Sequence, residues 1–131
     1  MNEIELKNGM PPTPGYRYAS KRGNQLYVSG QVPQDQSGSI VGIDSPAEQA
    51  RQCLENLDLL LSCHNFEIAD VQRLVIYVVG GRENLTTTWE AVAKHFSCEV
   101  PPATLIGVAL LGYEGQLVEM DATVVREEAV T

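Results

Sequence analysis

The sequence predicts an α+β domain, and three observations carry that reading. Apolar residues recur at helical spacing in two separate stretches, 50–61 and 85–96. Runs rich in β-branched and aromatic residues lie at 16–30, 71–79 and 101–125. The resulting order is hairpin, helix, strand, helix, hairpin, with no internal repeat and no low-complexity tract. A chain of 131 residues has room for one real core and not two, so residues 1–131 are read as a single domain.

The elements follow in order. Residues 1–14 contain Pro11, Pro12 and Pro14 and read as a lead-in running extended over the surface. Tyr16-Arg17-Tyr18-Ala19-Ser20 and Gln25-Leu26-Tyr27-Val28-Ser29-Gly30 flank a turn at Arg22-Gly23-Asn24, which is a hairpin signal. The polar, glycine-containing segment 34–44 is a loop. Ser45-Pro46-Ala47-Glu48 starts a helix: Ser45 caps it, Pro46 suits the first position and Glu48 closes a capping box. Its stripe is Ala50, Cys53, Leu54, Leu57, Leu60 and Leu61. Burying each large apolar side chain is worth roughly 1.5–3 kcal/mol, so this helix must lie on a sheet. Asn65 can take the left-handed conformation that ends it.

Residues 71–79 are apolar on both faces, as a central strand is, and Gly80-Gly81 ends them. Asn84 is placed to cap a second helix with Leu85, Trp89, Val92 and Phe96 inside. Asn84-Leu85-Thr86 also matches a glycosylation sequon, but a helix start is the simpler reading. Pro101-Pro102 divides that helix from a closing hairpin over 101–125. In its second arm Val118, Met120, Ala122 and Val124 share one face, and Leu117, Glu119, Asp121, Thr123 and Val125 share the other. Either those two carboxylates face water, or one of them lines a cavity. Two helices can cover only one face of the sheet. Val75, Tyr77, Val79, Leu105, Leu117 and Val125 would decorate the opposite face, which predicts a partner subunit and a closed symmetric oligomer.

Composition narrows the function. The apolar fraction of 44% and charged fraction of 20% are those of an ordinary globule. A net charge of −8 repels phosphate backbones, which argues against a nucleic-acid partner. The one loose basic group, Arg17, Lys21 and Arg22, reads as a solvated turn. Cys53, Cys63 and Cys98 show no CxxC spacing, and His64 and His95 are not spaced as ligands, so neither disulfides nor a metal are expected. Cys53 reads as core. With no basic-then-apolar leader and no apolar run of membrane-spanning length, the expected location is the cytoplasm, away from membranes.

Across nearly its whole length the chain resembles the Rid (reactive intermediate deaminase) or YjgF-like family. The matching stretches are Gly23-Asn24, Leu26-Tyr27-Val28-Ser29-Gly30-Gln31-Val32-Pro33 and Gln49-Ala50-Arg51-Gln52 running on to Leu54-Glu55-Asn56-Leu57. Ala69-Asp70-Val71, Gly107-Val108-Ala109 and Leu117-Val118-Glu119 complete them. The resemblance implies a chorismate-mutase-like fold, with a mixed sheet and two helices packed on one face. It further implies a homotrimer with a cleft between each pair of subunits. It also implies hydrolysis of enamines and imines such as 2-aminoacrylate without metal or organic cofactor. Carried over residue by residue, it assigns a ligand-facing tyrosine to Tyr16 and a serine-glycine pair to Ser29 and Gly30. It assigns a water-directing carboxylate to Glu119. Two positions depart from the family pattern: Trp89 stands where an asparagine is expected, and Ala103 where a carboxylate-gripping arginine is expected.

Arginine offers a carboxylate two parallel donors, and such charged hydrogen bonds are worth roughly 1.5–3 kcal/mol. Ala103 offers none, so specificity should move away from 2-aminoacrylate. Thr104 could meet a ligand oxygen in its stead, and Arg17 is turned away from Tyr16 by strand alternation. Each remaining assignment has a plainer alternative. Glu119 could join an ion pair, Trp89 could be core, and Tyr16 could pack on a neighbouring chain. Ser29 lacks a nucleophile's context and reads as a turn residue, and Asp121 as structural. Three functions follow: an enamine or imine deaminase of altered specificity, a non-catalytic metabolite-binding trimer, and, against the charge, an endoribonuclease.

Overall fold

The computed structural model describes residues 1–128; the last three residues of the expected 1–131 domain lie outside the described residues. The elements are α1 (Glu3–Lys7), β1 (Ala19–Arg22), β2 (Gln25–Val28), α2 (Pro46–Cys63), β3 (Val71–Val79), α3 (Arg82–His95), β4 (Ala103–Val108) and β5 (Val118–Val125). A turn of 3-10 helix, Ile68–Asp70, leads into β3. The strands form one mixed sheet in the order β1-β2-β5-β3-β4, and only the β3–β4 pair is parallel. The α+β reading therefore holds.

The helix α2 forms where its start signals lie. Ser45 Oγ accepts from the Glu48 N–H at 3.3 Å, and Asn65 takes φ 63° just past the helix end. The reciprocal half of the capping box is absent because the Ser45 N–H is already bonded to Gly42 O. All six expected stripe residues are buried; Ala50, Cys53, Leu54, Leu57 and Leu61 meet Leu74, Ile76 and Val78 of β3 and Val118, Met120 and Val124 of β5 in one core, and Leu60 joins a smaller cluster. The predicted alternation of β5 is seen: Val118, Met120, Ala122 and Val124 point into the core.

Several expectations need correction. The closing hairpin does not exist: β3 lies between β4 and β5. Val75 stands opposite Thr104 on one side and Asp121 on the other. Helix α3 is the crossover that sets β4 parallel to β3, and the segment 109–117 then carries the chain to the other edge of β3. Neighbours in sequence are not neighbours in this sheet.

This arrangement moves Leu105 as well. It pairs with Ile76 and packs against the helix-side core, while Thr104, Ile106 and Val108 share the open face with Val75, Tyr77 and Val79. The lead-in is not extended over the surface. It opens with α1, buries Glu5 against His64, and inserts Met10 beside Tyr18 and Leu60. Finally, Asn84 is not the cap of α3. Gly81 holds that place at φ 86°, and Asn84 Nδ2 donates back to Val79 O at 2.8 Å. The buried face of α3 is Thr88, Ala91 and Val92, whose small side chains let the helix approach α2; Trp89 is left on the flank, 36% exposed.

Candidate active-site cleft

The open face of the sheet carries a cleft of about 300 Å³, lined by Tyr16, Ser29, Gly30, Val32, Tyr113 and Glu119. Its floor is built from two backbone segments. Beyond β2 the chain crosses to β5, where Gln31 and Met120 exchange hydrogen bonds of 2.6 and 3.2 Å. The buried Gln31 amide donates to Ser29 O at 2.9 Å, and Asn56 of α2 donates to Val32 O at 2.9 Å and Gln34 O at 3.0 Å. These contacts hold Gly30 against Glu119. A Cβ on Gly30 would stand 2.8 Å from the Glu119 carboxyl carbon, so this close approach requires glycine.

Glu119 is partly buried, with Oε1 accepting from Gln116 Nε2 at 3.0 Å. The same amide donates to Val118 O, and its oxygen accepts from the Tyr113 N–H at 3.2 Å. One buried glutamine thus orients the carboxylate and folds the loop that presents Tyr113. Gln49 of α2 anchors this loop from below. Its oxygen accepts from the Leu117 N–H at 2.7 Å and the Val118 N–H at 3.3 Å, and its nitrogen donates to Gly115 O at 2.9 Å and Gly42 O at 3.3 Å.

Tyr16 enters from the N-terminal segment. Its carbonyl accepts from Asn2 Nδ2 at 3.0 Å and from the Thr13 hydroxyl, and Asn2 Oδ1 accepts from the Tyr18 N–H at 2.9 Å. Burial, followed by the neighbouring Tyr113 hydroxyl, pushes the Tyr16 phenol well above its ordinary pKa, so it enters the cleft as a neutral donor. Ser29 Oγ is buried without a hydrogen-bond partner among the described residues. Cys53 lies beneath, its Sγ 3.3 Å from Gln31 O; burial first, and then Glu119, raises its thiol pKa, so it stays a thiol.

Of the sequence-predicted site residues, Tyr16, Ser29, Gly30 and Glu119 meet in this cleft. Trp89, Ala103 and Thr104 do not line it. Ala103 begins the edge strand β4, and Thr104 Oγ1 accepts from Arg73 Nη2 at 2.9 Å on the open face. Arg17 lies on the other side of its segment, with His64 and Glu5, as alternation requires. Asp121 accepts from the Tyr77 hydroxyl at 2.8 Å, a bond that raises the Tyr77 pKa. Sequence reasoning missed Tyr113 and Gln116, which lie in an irregular loop without a periodic signal, and Arg73, whose partner is on a strand distant in sequence. Among the described residues no helix is long and apolar enough to cross a membrane.

Residues 7–126 match the family model described as Endoribonuclease L-PSP. A RutC family protein of Pyrococcus horikoshii is 30% identical over 95% of this chain and 97% of its own. The 2-iminobutanoate/2-iminopropanoate deaminase of Salmonella typhimurium is 27% identical over 79% of this chain and 81% of its own. The crystal structure of yeast Mmf1 superposes with a TM-score of 0.80 at 27% identity, covering 90% of this chain and 92% of that one. The chain belongs to this family, the Rid or YjgF-like proteins.

Proposed function

We propose that this chain is a hydrolytic deaminase of a small enamine or imine intermediate, with specificity altered from 2-aminoacrylate. The observation that carries the reading is Glu119, oriented by Gln116 and set against Gly30 at a cleft that also holds the Tyr16 phenol and the unpartnered Ser29 hydroxyl. The related Salmonella protein, by its name, acts on 2-iminobutanoate and 2-iminopropanoate, which supports a substrate of this class.

In the reaction an enamine first tautomerises to its imine. Water then adds to the C=N carbon while Glu119 orients it and takes its proton. Glu119 returns that proton to the nitrogen, giving the carbinolamine, which expels ammonia as its C–N bond breaks and its hydroxyl proton passes to nitrogen, so that the carbonyl of a 2-oxo acid forms. Tyr16, a neutral donor, and Ser29 Oγ supply hydrogen bonds to the substrate. No metal or organic cofactor takes part. The protein works in the cytoplasm as a homotrimer of chorismate-mutase-like subunits, whose open sheet faces meet.

The absence of any cation among the cleft-lining residues favours a second reading, a trimer that binds a small metabolite without turning it over. Endoribonuclease activity is disfavoured by the net charge of −8. Ammonia release from a panel of freshly generated imines decides among them. Turnover that disappears in Glu119→Ala supports the deaminase. Ligand-induced thermal shifts without turnover support the binding protein.

A further inference from the structure

Resting on that reading, we infer that Arg73 of a neighbouring copy completes the cleft and binds the carboxylate of the substrate. The open face has charge of opposite sign at its two ends. Glu119 stands opposite Tyr77, Asp121 opposite Val75, and Thr123 opposite Arg73 in the β3–β5 register. Between the ends Val75 lies beside Asp121, whose carboxylate is engaged by the Tyr77 hydroxyl at 2.8 Å, and Ile106 flanks Tyr77 on β4. The guanidinium of Arg73 donates to Thr104 Oγ1 and has no acidic partner among the described residues. Arg22, the other cation facing this side, lies on the edge strand β1 and bonds to the carbonyl of Lys21.

Distance assigns the cation to another chain. Arg73 and Tyr77 are four residues apart on β3, which at about 3.3 Å per residue separates Arg73 from its own Glu119 by roughly 13 Å along the sheet. An arginine side chain does not span that distance and also grip a small acid. A second copy packed head to tail on this apolar face puts its basic end over the first copy's acidic end, and repetition of that contact closes a ring. The cleft of one copy then holds the water-directing carboxylate, and the next copy supplies the anion-binding fork. Because Arg73 reaches in from β3, past Thr104, the carboxylate is gripped from a position displaced from that of residue 103. This is a structural basis for the altered specificity.

The test compares wild type, Arg73→Ala and Arg73→Lys on a carboxylate-bearing imine and on its methyl ester. Arg73→Ala should raise KM for the acid at least tenfold and leave the ester unchanged, with Arg73→Lys between. Calorimetric titration of each protein with the 2-oxo acid product gives the same comparison without turnover. At acid concentrations far below KM, where Arg73→Ala alone gives about a tenth of wild-type activity or less and Glu119→Ala none, co-expressing the two should give about one quarter, since random mixing of two subunit types gives that share of complete clefts. An unchanged acid-to-ester ratio in Arg73→Ala overturns the assignment while leaving the deaminase reading intact. Failure of the mixed oligomers to regain activity overturns the contribution from a second copy. If wild type turns over no imine, the functional reading fails, and the product titration alone still decides whether Arg73 binds the carboxylate.

Discussion

Gly30 and Glu119 occupy overlapping space: the carboxyl carbon of Glu119 lies 2.8 Å from where a Cβ on residue 30 would be. The carboxylate can fold over the strand beneath it only because residue 30 has no side chain. The sequence marks both residues, but their dependence on one another is a product of the Gln31–Met120 bridge, which joins segments far apart in the chain.

Gly30→Ala should therefore damage the site more than the fold. The added methyl group displaces the carboxylate by about an ångström, a misplacement that can cost roughly 100-fold in rate. Steady-state kinetics should show that loss in kcat, and urea unfolding should show little change in stability. A variant of normal rate would mean that the position of Glu119 is not critical.

Gln49 is the structural counterpart. All its polar atoms are engaged, holding the 109–117 segment onto α2. Gln49→Leu keeps the volume but strands the buried Val118 N–H and its partly buried neighbour on Leu117. Leaving such groups unpaired costs about 1–3 kcal/mol each, so the midpoint of urea unfolding should fall by the equivalent of about 2–4 kcal/mol. An unchanged midpoint would contradict the role given to this amide.

Tyr18 gives a pH signature. It is buried, its hydroxyl donates to Pro11 O, and burial, followed by Tyr113 and Glu5, pushes its pKa up to about 12. The unfolded chain ionises this phenol near 10 and the folded chain near 12. The folded state thus holds the proton more tightly, and stability present below pH 10 is lost as pH rises through 12. The difference in stability between wild type and Tyr18→Phe should shrink across that interval. A constant difference would show that Tyr18 does not titrate there.

Helix α2, the existence of α3, the first hairpin and the buried stripe of β5 are legible in the sequence, because each is written in local periodicity or turn chemistry, whereas α1 is not. The true partners of β4 and β5 are not legible because pairing is not a local property: α3 hides a parallel crossover, and β3 separates two strands that look consecutive. The face of Leu105 is hidden for the same reason. Tyr16, Ser29, Gly30 and Glu119 were recognisable through family resemblance, and the fold brings them to one cleft. Gln116, Tyr113 and Arg73 were not, since each acts through a contact that only the folded chain creates. Trp89 shows the limit of periodicity: its spacing fits the stripe, but the buried face of α3 is centred on smaller residues.

The most direct measurement is a crystal structure with a 2-oxo acid such as 2-oxobutanoate, the product of the proposed reaction. The account predicts three copies around shared clefts, with the product carbonyl near Glu119 of one copy and its carboxylate on Arg73 of the next. A single subunit with Glu119 turned to bulk solvent, or product bound away from this residue, would contradict it.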